Sequence, residues 1–363
     1  MADLRVLVVT EEGDHPETGN LIKLHQAGVK IKVLGWEDSP YVSWLADAGV
    51  PFEPLRLAGK RDREGARLIA RHLDEYRPQI LHLLRKRTIF NGLAAAKGRP
   101  VKIVLYRGIV GNVSFLNPID WISFLNPRVD RIVCVAEAVR QEFLHLGFAG
   151  LGIPPEKLVT IHKGHDLDWY RDPPADLGQL GIPSSSFVVI CVVNVRPRKG
   201  VPLFIDACAS LPADLGMRFV LVGRGMDSPE LLKRVARSPH PDRFHVLGFR
   251  NDAARLIAAS DVSVLASLRR EGLPRSIIES MSYRTTPVVS DAGGSPELVE
   301  NERSGLVVPA GDAGALADAI MRLARDRDWC RALGENARER IARHFNVDMA
   351  ARKTLELYRD LTA

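Results

Sequence analysis

Hydrophobic positions along the chain fall into two alternating rhythms. Short β-branched runs are followed by stretches whose apolar residues recur at helical spacing, the pattern of a parallel sheet covered by helices. In the first half the runs LRVLVV, KIKVLG, FEPLRL, QILHLL, VKIVLY, RIVCVA and LVTIHK predict strands. Helices fall between them, for instance Asp62–Tyr76 and Glu137–Leu146. The second half restarts with FVVICVVN, RFVLVG, RFHVLG, VSVLAS, TPVVSD and GLVVP. Between the halves YRDPPADLGQLGIPSSS, rich in Pro, Gly and Ser, reads as a boundary. After Val308 the pattern predicts helices near Ala313–Asp326, Asp328–His344 and Val347–Leu361. The expected fold class is therefore α/β, with two doubly wound domains in tandem. Ligands of such sheets bind at the carboxyl ends of the strands, where the strand order switches. The last helix has the apolar spacing to cross back onto the first domain.

At 363 residues the chain exceeds one comfortable hydrophobic core and suits two domains. With 46% hydrophobic and 26% charged residues it has the balance of a globular protein. No run approaches the roughly 18 consecutive apolar residues of a membrane span. The opening MADLRVLVVTEEGD enters a strand-like run at once, without a basic leader or a small-residue cleavage site, so a cytoplasmic location is expected. Cys134 and Cys191 sit in strand-like runs and Cys208 and Cys330 in helical ones, with no C-x-x-C pair. Neither a zinc site nor a disulfide framework is indicated, which leaves plain buried thiols. A formal net charge of +6 suits anionic partners. Nucleic acid, phosphorylated small molecules and anionic lipid all satisfy it, and the motifs must choose.

Two common nucleotide motifs are missing. EEGDHPETGN after the first strand does not match G-x-G-x-x-G, and LVGRGMDSPE supplies Gly223 and Gly225 without a third glycine. No G-x-x-x-x-G-K-[ST] loop occurs, which argues against a P-loop phosphotransferase. Asp166 and Asp168 in HDLDWY have D-x-D spacing; they either hold a divalent metal or are solvated loop residues.

The segment EGLPRSIIESMSYRTTPVVSDAGGSPELVENERSGLVVPAGD sets Glu271 in a loop and Glu279 inside a short apolar helix, in E-x7-E spacing. It resembles the donor-site segment of retaining family 4 glycosyltransferases, nucleotide-sugar enzymes of the GT-B fold. VVNVRPRKGVPLFIDA resembles that family's Arg/Lys-Gly phosphate segment, FVLVGRGMD its following strand and turn, and HVLGFRNDAARLIAASDVSVLAS its base-binding stretch. The likeness covers the C-terminal domain almost completely. In the N-terminal half RIVCVAEAVRQEF and LVTIHKGHDLDWY match, and the remainder matches in architecture only.

The resemblance implies two Rossmann-like domains facing across a cleft. Residues 1–170 would bind the acceptor, 171–345 the nucleotide-sugar donor, and 346–363 would form the helix returning to the first domain. Pro274 suits the first turn of a helix, whose amides near Arg275 and Ser276 would face a diphosphate. Family roles then give Glu271 the hexose hydroxyls and Glu279 both ribose hydroxyls, so that the two carboxylates bracket the phosphates. Gly272 and Leu273 complete the loop between them, and Gly223, Phe249 and Arg250 fall on the turn and the base-binding stretch. Arg196 and Lys199 would meet the diphosphate, with Arg198 able to take the place of Arg196. Charge grows on the leaving diphosphate, and fixed cations and amides aimed there lower the barrier without a metal. Neither a cofactor nor a metal is expected.

The first domain departs more from the family. The loop after its first strand offers Gly19, in ETGNLIKLHQAG, where the family has several glycines. VKIVLYRG ends in Arg107 where the family carries a histidine near the transferred sugar. Arg107 either binds a phosphate or an acidic sugar, or caps the strand. His162 and His165 at the end of the last strand-like run read as structural. The segment AGKRDREGARLIARHLDEYRP carries Arg63, Arg67 and Arg71 on a helix that either docks on anionic lipid or presents a solvated face.

The activity implied is retaining, metal-independent transfer of a sugar from a nucleoside-diphosphate sugar to a hydroxyl of a carbohydrate, glycolipid or small-molecule acceptor. Cell-envelope polysaccharide or lipopolysaccharide synthesis is the setting that analogy suggests. No nucleic acid partner is expected, and peripheral contact with an anionic membrane stays open. Two other readings compete: a GT-B nucleotide-sugar 2-epimerase and a catalytically silent nucleotide-sugar-binding protein.

Overall fold

The structure, a computed structural model, describes residues 4–148 and 151–363. The chain divides into two compact units, Met1–His165 with Phe345–Ala363, and Asp166–His344. The first unit contains strands β1 (Arg5–Val9), β2 (Lys30–Gly35), β3 (Phe52–Pro54), β4 (Ile80–Leu83), β5 (Lys102–Arg107) and β6 (Arg131–Cys134). A short antiparallel pair, β7 (Gly147–Phe148) and β8 (Leu151–Gly152), precedes β9 (Leu158–Thr160). Its sheet runs β3-β2-β1-β4-β5-β6-β9 with every pair parallel. Helices cover both faces, so central strands read as continuous apolar runs; Val6 to Val9 are fully buried. The run FEPLRL forms the edge strand over Phe52–Pro54, and the Leu55 amide adds one further bond to the Gly35 carbonyl at 2.6 Å, so the nitrogen of Pro54 falls on the open edge where no donor is needed.

Several helix boundaries follow from capping. The Asp14 carboxylate accepts the Glu17 amide at 3.0 Å, and Pro16 lies in the first turn, so the helix His15–Gln26 starts before Gly19. Gly19 is thus a buried helical residue, and the glycine of the loop after β1 is Gly13. Asp62 caps the helix Arg63–Tyr76 through the Gly65 amide. Ile69 and Leu73 of that helix are buried in the unit, which leaves its arginines on a solvated face.

The helix Val347–Thr362 returns to the first unit, capped by Asn346. Its Ala350, Ala351, Leu357, Tyr358 and Leu361 join a core with Val6, Val8, Leu24, Ile31 and Val33. Asn20 donates to Thr354 Oγ1 at 3.4 Å, Lys23 pairs with Asp348 at 2.8 Å, and Tyr358 Oη lies 2.6 Å from His82 Nδ1. The crossing inferred from apolar spacing is present.

The second unit contains β10 (Phe187–Val192), β11 (Met217–Val222), β12 (Phe244–Gly248), β13 (Val262–Leu265), β14 (Thr286–Ser290) and β15 (Leu306–Val308). Their order is β12-β11-β10-β13-β14-β15, again all parallel. The chain steps outward from β10 to β12 and then returns to the other side of β10, which puts the switch point between β10 and β13. The four cysteines are buried free thiols. Among the described residues no helix is long and apolar enough to cross a membrane.

Candidate functional site

At the carboxyl ends of β10, β11 and β12 the second unit opens a pocket of about 620 Å³. Four chain segments build it: Val192 to Lys199 after β10, Gly223 after β11, Phe249 to Ala254 after β12, and Pro274 to Glu279. It thereby gathers Arg196, Lys199, Gly223, Phe249, Arg250, Pro274, Arg275, Ser276 and Glu279, which the sequence placed together. Gly272 and Leu273 lie in the loop just before it, outside the lining.

Arg198 and Lys199 sit on a single turn of 3-10 helix, Pro197–Lys199, with Arg196 at its N-cap. Gly200 ends that turn in a left-handed conformation (φ 63°), and a Cβ there would lie 1.9 Å from the Ala266 carbonyl oxygen, so only glycine fits. The Leu268 amide donates to the Arg198 carbonyl at 2.8 Å and ties the turn to the loop after β13. Arg196 is exposed on the pocket and makes no ion pair among the described residues.

Glu271 is 4% exposed and lies beneath this turn. Its Oε1 accepts from Ser267 Oγ at 2.7 Å, Lys199 Nζ at 2.8 Å and Arg198 Nη1 at 3.2 Å. All three donors use one oxygen, and Oε2 has no partner among the described residues. The backbone of Glu271 is pinned by Gly293 (φ 61°), where a Cβ would come within 2.2 Å of the Glu271 carbonyl oxygen. Arg198 and Lys199 thus line the pocket while bonded to Glu271, and Arg196 lines it without an ion pair among the described residues.

Pro274 stands at the N-cap of the helix Arg275–Ser282, one position earlier than its expected place in the first turn. Its extended conformation (φ −72°, ψ 117°) still presents its carbonyl to the amides of Ile277 and Ile278. The amide of Ser276 precedes these bonds and belongs to the first-turn donors that no helical carbonyl reaches. One turn further in, Glu279 lines the pocket with a side chain 13% exposed. Burial raises its pKa above the ordinary carboxylate value, although Arg275 Nε donates to it at 2.7 Å and pulls the other way.

Phe249 presents a face to solvent, 55% exposed, with the Arg224 guanidinium 4.9 Å from its ring centre. Arg250 is held in a two-point pair by Asp252 at 2.8 and 2.7 Å. Asn194 Oδ1 accepts the Arg224 amide at 3.1 Å and joins the turns after β10 and β11. Sequence reading passed over Arg224, Asn194 and Ser267; the first two adjoin motif residues, while Ser267 carried no signal beyond its place after a strand.

Arg107 and Gly19 belong to the first unit. Arg107 closes β5 and donates to the carbonyls of Ile109 (2.9 Å) and Gly111, with its guanidinium 5.1 Å from the Phe124 ring centre. Of its two readings, this geometry is that of a strand and loop cap. The same unit holds a buried charge cluster that the sequence did not reveal. Arg85 grips Glu17 at 2.6 Å through both terminal nitrogens, and Lys163 bridges Asp14 and Glu17. Burial works against the Lys163 ammonium, yet Tyr106, Glu17 and Asp14 together hold its pKa above the usual lysine range. Asp166 accepts the Asp168 amide at 2.9 Å and Asp168 pairs with Arg171, a small 3-10 turn on the surface. The ring of His162 meets Phe345, and the backbone of His165 pairs with that of Phe345 and Val347.

Comparison with known proteins divides the chain at the same place as the fold. Residues 174–340 match the model of the glycosyl transferases group 1, and residues 5–169 that of glycosyltransferase family 4. The chain belongs to the group 1 glycosyltransferases of family 4. It is 29% identical to the UDP-Gal:alpha-D-GlcNAc-diphosphoundecaprenol alpha-1,3-galactosyltransferase of Escherichia coli, over 91% of this chain and 89% of that one. It is 28% identical to the lipopolysaccharide core biosynthesis mannosyltransferase LpsB of Rhizobium meliloti, over 66% and 68% of the two chains. Four further relatives are matched over 52–64% of their own length. The structure superimposes on Anabaena HepE, solved with UDP and glucose, with a TM-score of 0.76 at 22% identity, over 98% of this chain and 100% of that one. The fold is GT-B, and the family is one of transferases.

Proposed function

We propose that the second unit's pocket holds a nucleoside-diphosphate sugar and that the enzyme transfers the sugar, with retention and without a metal, to an acceptor hydroxyl. The observation that carries this reading is the convergence of Arg196, Lys199, a helix N-terminus and Glu279 on one pocket at a sheet switch point, with Glu271 ion-paired to Lys199. Arg196 and Lys199 bind the diphosphate, each charge-assisted bond worth roughly 1.5–3 kcal/mol. The first-turn amides at Ser276 add fixed dipoles without a reorganisation cost in the transition state. Glu279 accepts the ribose hydroxyls, and Phe249 offers a flat face beside the base. Glu271 uses Oε1 to hold Lys199 and keeps Oε2 for a sugar hydroxyl. Retention follows if the acceptor attacks on the face from which the diphosphate leaves, with a phosphate oxygen taking the acceptor proton. The acceptor is a carbohydrate or glycolipid of envelope synthesis, in keeping with the relatives' names. The family relation favours transfer over epimerisation or silent binding.

The test begins with a thermal-shift screen of UDP, GDP and ADP, since a ligand that binds the native state raises its melting point. The matching nucleotide sugar is then turned over in EDTA with envelope glycolipid extracts, and the product anomer is read by NMR coupling. Activity in EDTA with the donor's anomeric configuration preserved is expected. Complete loss on chelation, restored by manganese, would sink metal independence, and an inverted anomer would sink retention.

A further inference from the structure

Arg275 and Glu279 form an ion pair one turn apart on the helix Arg275–Ser282, with Arg275 Nε 2.7 Å from Glu279 Oε1. The order of the pair works against the helix. A carboxylate placed one turn before a cation supports a helix better than the reverse, because it complements the backbone dipole. Here the cation takes the first helical position and the carboxylate lies past the middle. The helix has no acidic residue in its first turn and no basic residue in its last to offset this. Helix stability alone does not account for the pair.

Its surroundings favour an anion. Both side chains line the pocket of the second unit, but Glu279 is 13% exposed and Arg275 64%. The carboxylate is thus enclosed, and the guanidinium is open to a ligand. Positive charge is in surplus on this wall: Arg198 and Lys199 share Glu271, Arg250 is held by Asp252, and Arg196 makes no ion pair among the described residues. The Ser276 amide follows Arg275 directly, and Glu279 lies one turn further along. The Arg275 side chain therefore runs from the end of the helix that attracts a phosphate to the carboxylate assigned to the ribose. A guanidinium is a planar fork of N–H donors that can hold a carboxylate and a phosphate at once, which a lysine ammonium does less well.

We propose that Arg275 bridges Glu279 and the diphosphate of the donor, with Nε on the carboxylate and the rest of the fork on a phosphate oxygen. Ribose and diphosphate are then recognised as one unit. The inference rests on the reading of this pocket as a nucleoside-diphosphate-sugar site and adds the Arg275 side chain to it. A phosphate held this way lies where the helix dipole and the misplaced cation both favour negative charge. The bond from Nε also fixes the orientation of Glu279, whose Oε2 is left for the ribose hydroxyls. A nucleoside without phosphates gains nothing from the fork.

The experiment starts with calorimetric titration of UDP, GDP and ADP into wild type. The diphosphate that binds, and its nucleoside measured by displacement, are then compared in Arg275→Ala, Arg275→Lys, Glu279→Ala and the double variant Arg275→Ala, Glu279→Ala, with melting points to verify folding. Arg275→Ala should bind the diphosphate roughly ten- to a hundredfold more weakly and the nucleoside about as well as wild type. Arg275→Lys should recover only part of the loss, since it keeps the charge without the fork. The double variant should lose less than the product of the two single losses, as residues acting together do. Diphosphate affinity in Arg275→Ala that equals or exceeds that of wild type overturns the proposal, and an increase would make Arg275 a plug that the ribose displaces. Equal losses for nucleoside and diphosphate overturn it too, leaving Arg275 a role toward Glu279 alone, and so do single losses that simply multiply in the double variant. Wild type that binds none of the three diphosphates would sink the reading of the pocket itself, and the bridge with it.

Discussion

Burial raises the Glu279 carboxyl above the ordinary carboxylate range even with the Arg275 guanidinium 2.7 Å away, so at neutral pH the folded protein ionises it at a cost. A group whose folded pKa is raised favours the folded state below its unfolded value, and that contribution is lost as pH rises through the folded one. Glu279→Gln should therefore raise the melting point of the ligand-free protein at pH 7, and the gain should vanish toward pH 4. The same change should weaken nucleoside diphosphate binding, because the ribose hydroxyls lose a charged acceptor. A melting point that falls at pH 7 would contradict this trade of stability against function. Glu271 and Lys199 separate differently. Lys199 lies 2.8 Å from Glu271 Oε1, so Glu271→Gln loosens the cation and removes the charge offered to the sugar. Turnover should fall something like 10²–10³-fold, the usual scale for one electrostatic contact, with nucleotide affinity changing much less. Lys199→Ala should lower both, since the diphosphate is charged before and after the bond breaks. Normal turnover by a folded Glu271→Gln protein would remove Glu271 from the chemistry.

At the scale of elements, the helix Val347–Thr362 is fastened to the first sheet by Tyr358 and His82, both fully enclosed. Burial pushes the His82 pKa down to about 3. A depressed histidine contributes stability that is complete above its unfolded value near 6.5 and is lost as pH falls toward the folded one. The first unit should lose stability from about pH 6.5 downward, and His82→Gln should flatten that slope in urea titrations followed across pH. Tyr358→Phe, which leaves His82 Nδ1 unpaired, should cost about 1–3 kcal/mol. This helix was legible in the sequence because its apolar spacing and Asn346 cap are local signals, as were the central strands, which are apolar on both faces. Less legible were features set by neighbours. β3 is an edge strand that ends at Pro54, and β7 with β8 is too short to show a pattern. Gly19 was misplaced because the cap at Asp14 and the proline at Pro16 start the helix earlier than a glycine count suggests. Most residues lining the second unit's pocket could be named from the sequence, whereas the single oxygen on which Ser267, Lys199 and Arg198 converge is a fact of three dimensions. The buried cluster of Asp14, Glu17, Arg85 and Lys163 joins residues up to 149 positions apart and left no periodic trace.

For the whole molecule, two parallel sheets have separate cores, and on the proposed reading a bound nucleotide should mark only the second unit. Hydrogen exchange with a bound nucleoside diphosphate should slow most in the segments around Asn194 to Lys199, Gly223, Phe249 to Ala254 and Ser276 to Glu279. Slowing centred instead on the Asp14–Lys163 cluster would move the nucleotide to the first unit. The most direct measurement of the central claim is calorimetric titration of the nucleoside diphosphate, in EDTA, into wild type, Lys199→Ala and Glu279→Ala. Wild type should bind without metal, and each variant should bind roughly ten- to a hundredfold more weakly, the equivalent of about 1.5–3 kcal/mol. Unchanged affinity in both variants, or binding by wild type only when a divalent cation is restored, would contradict it.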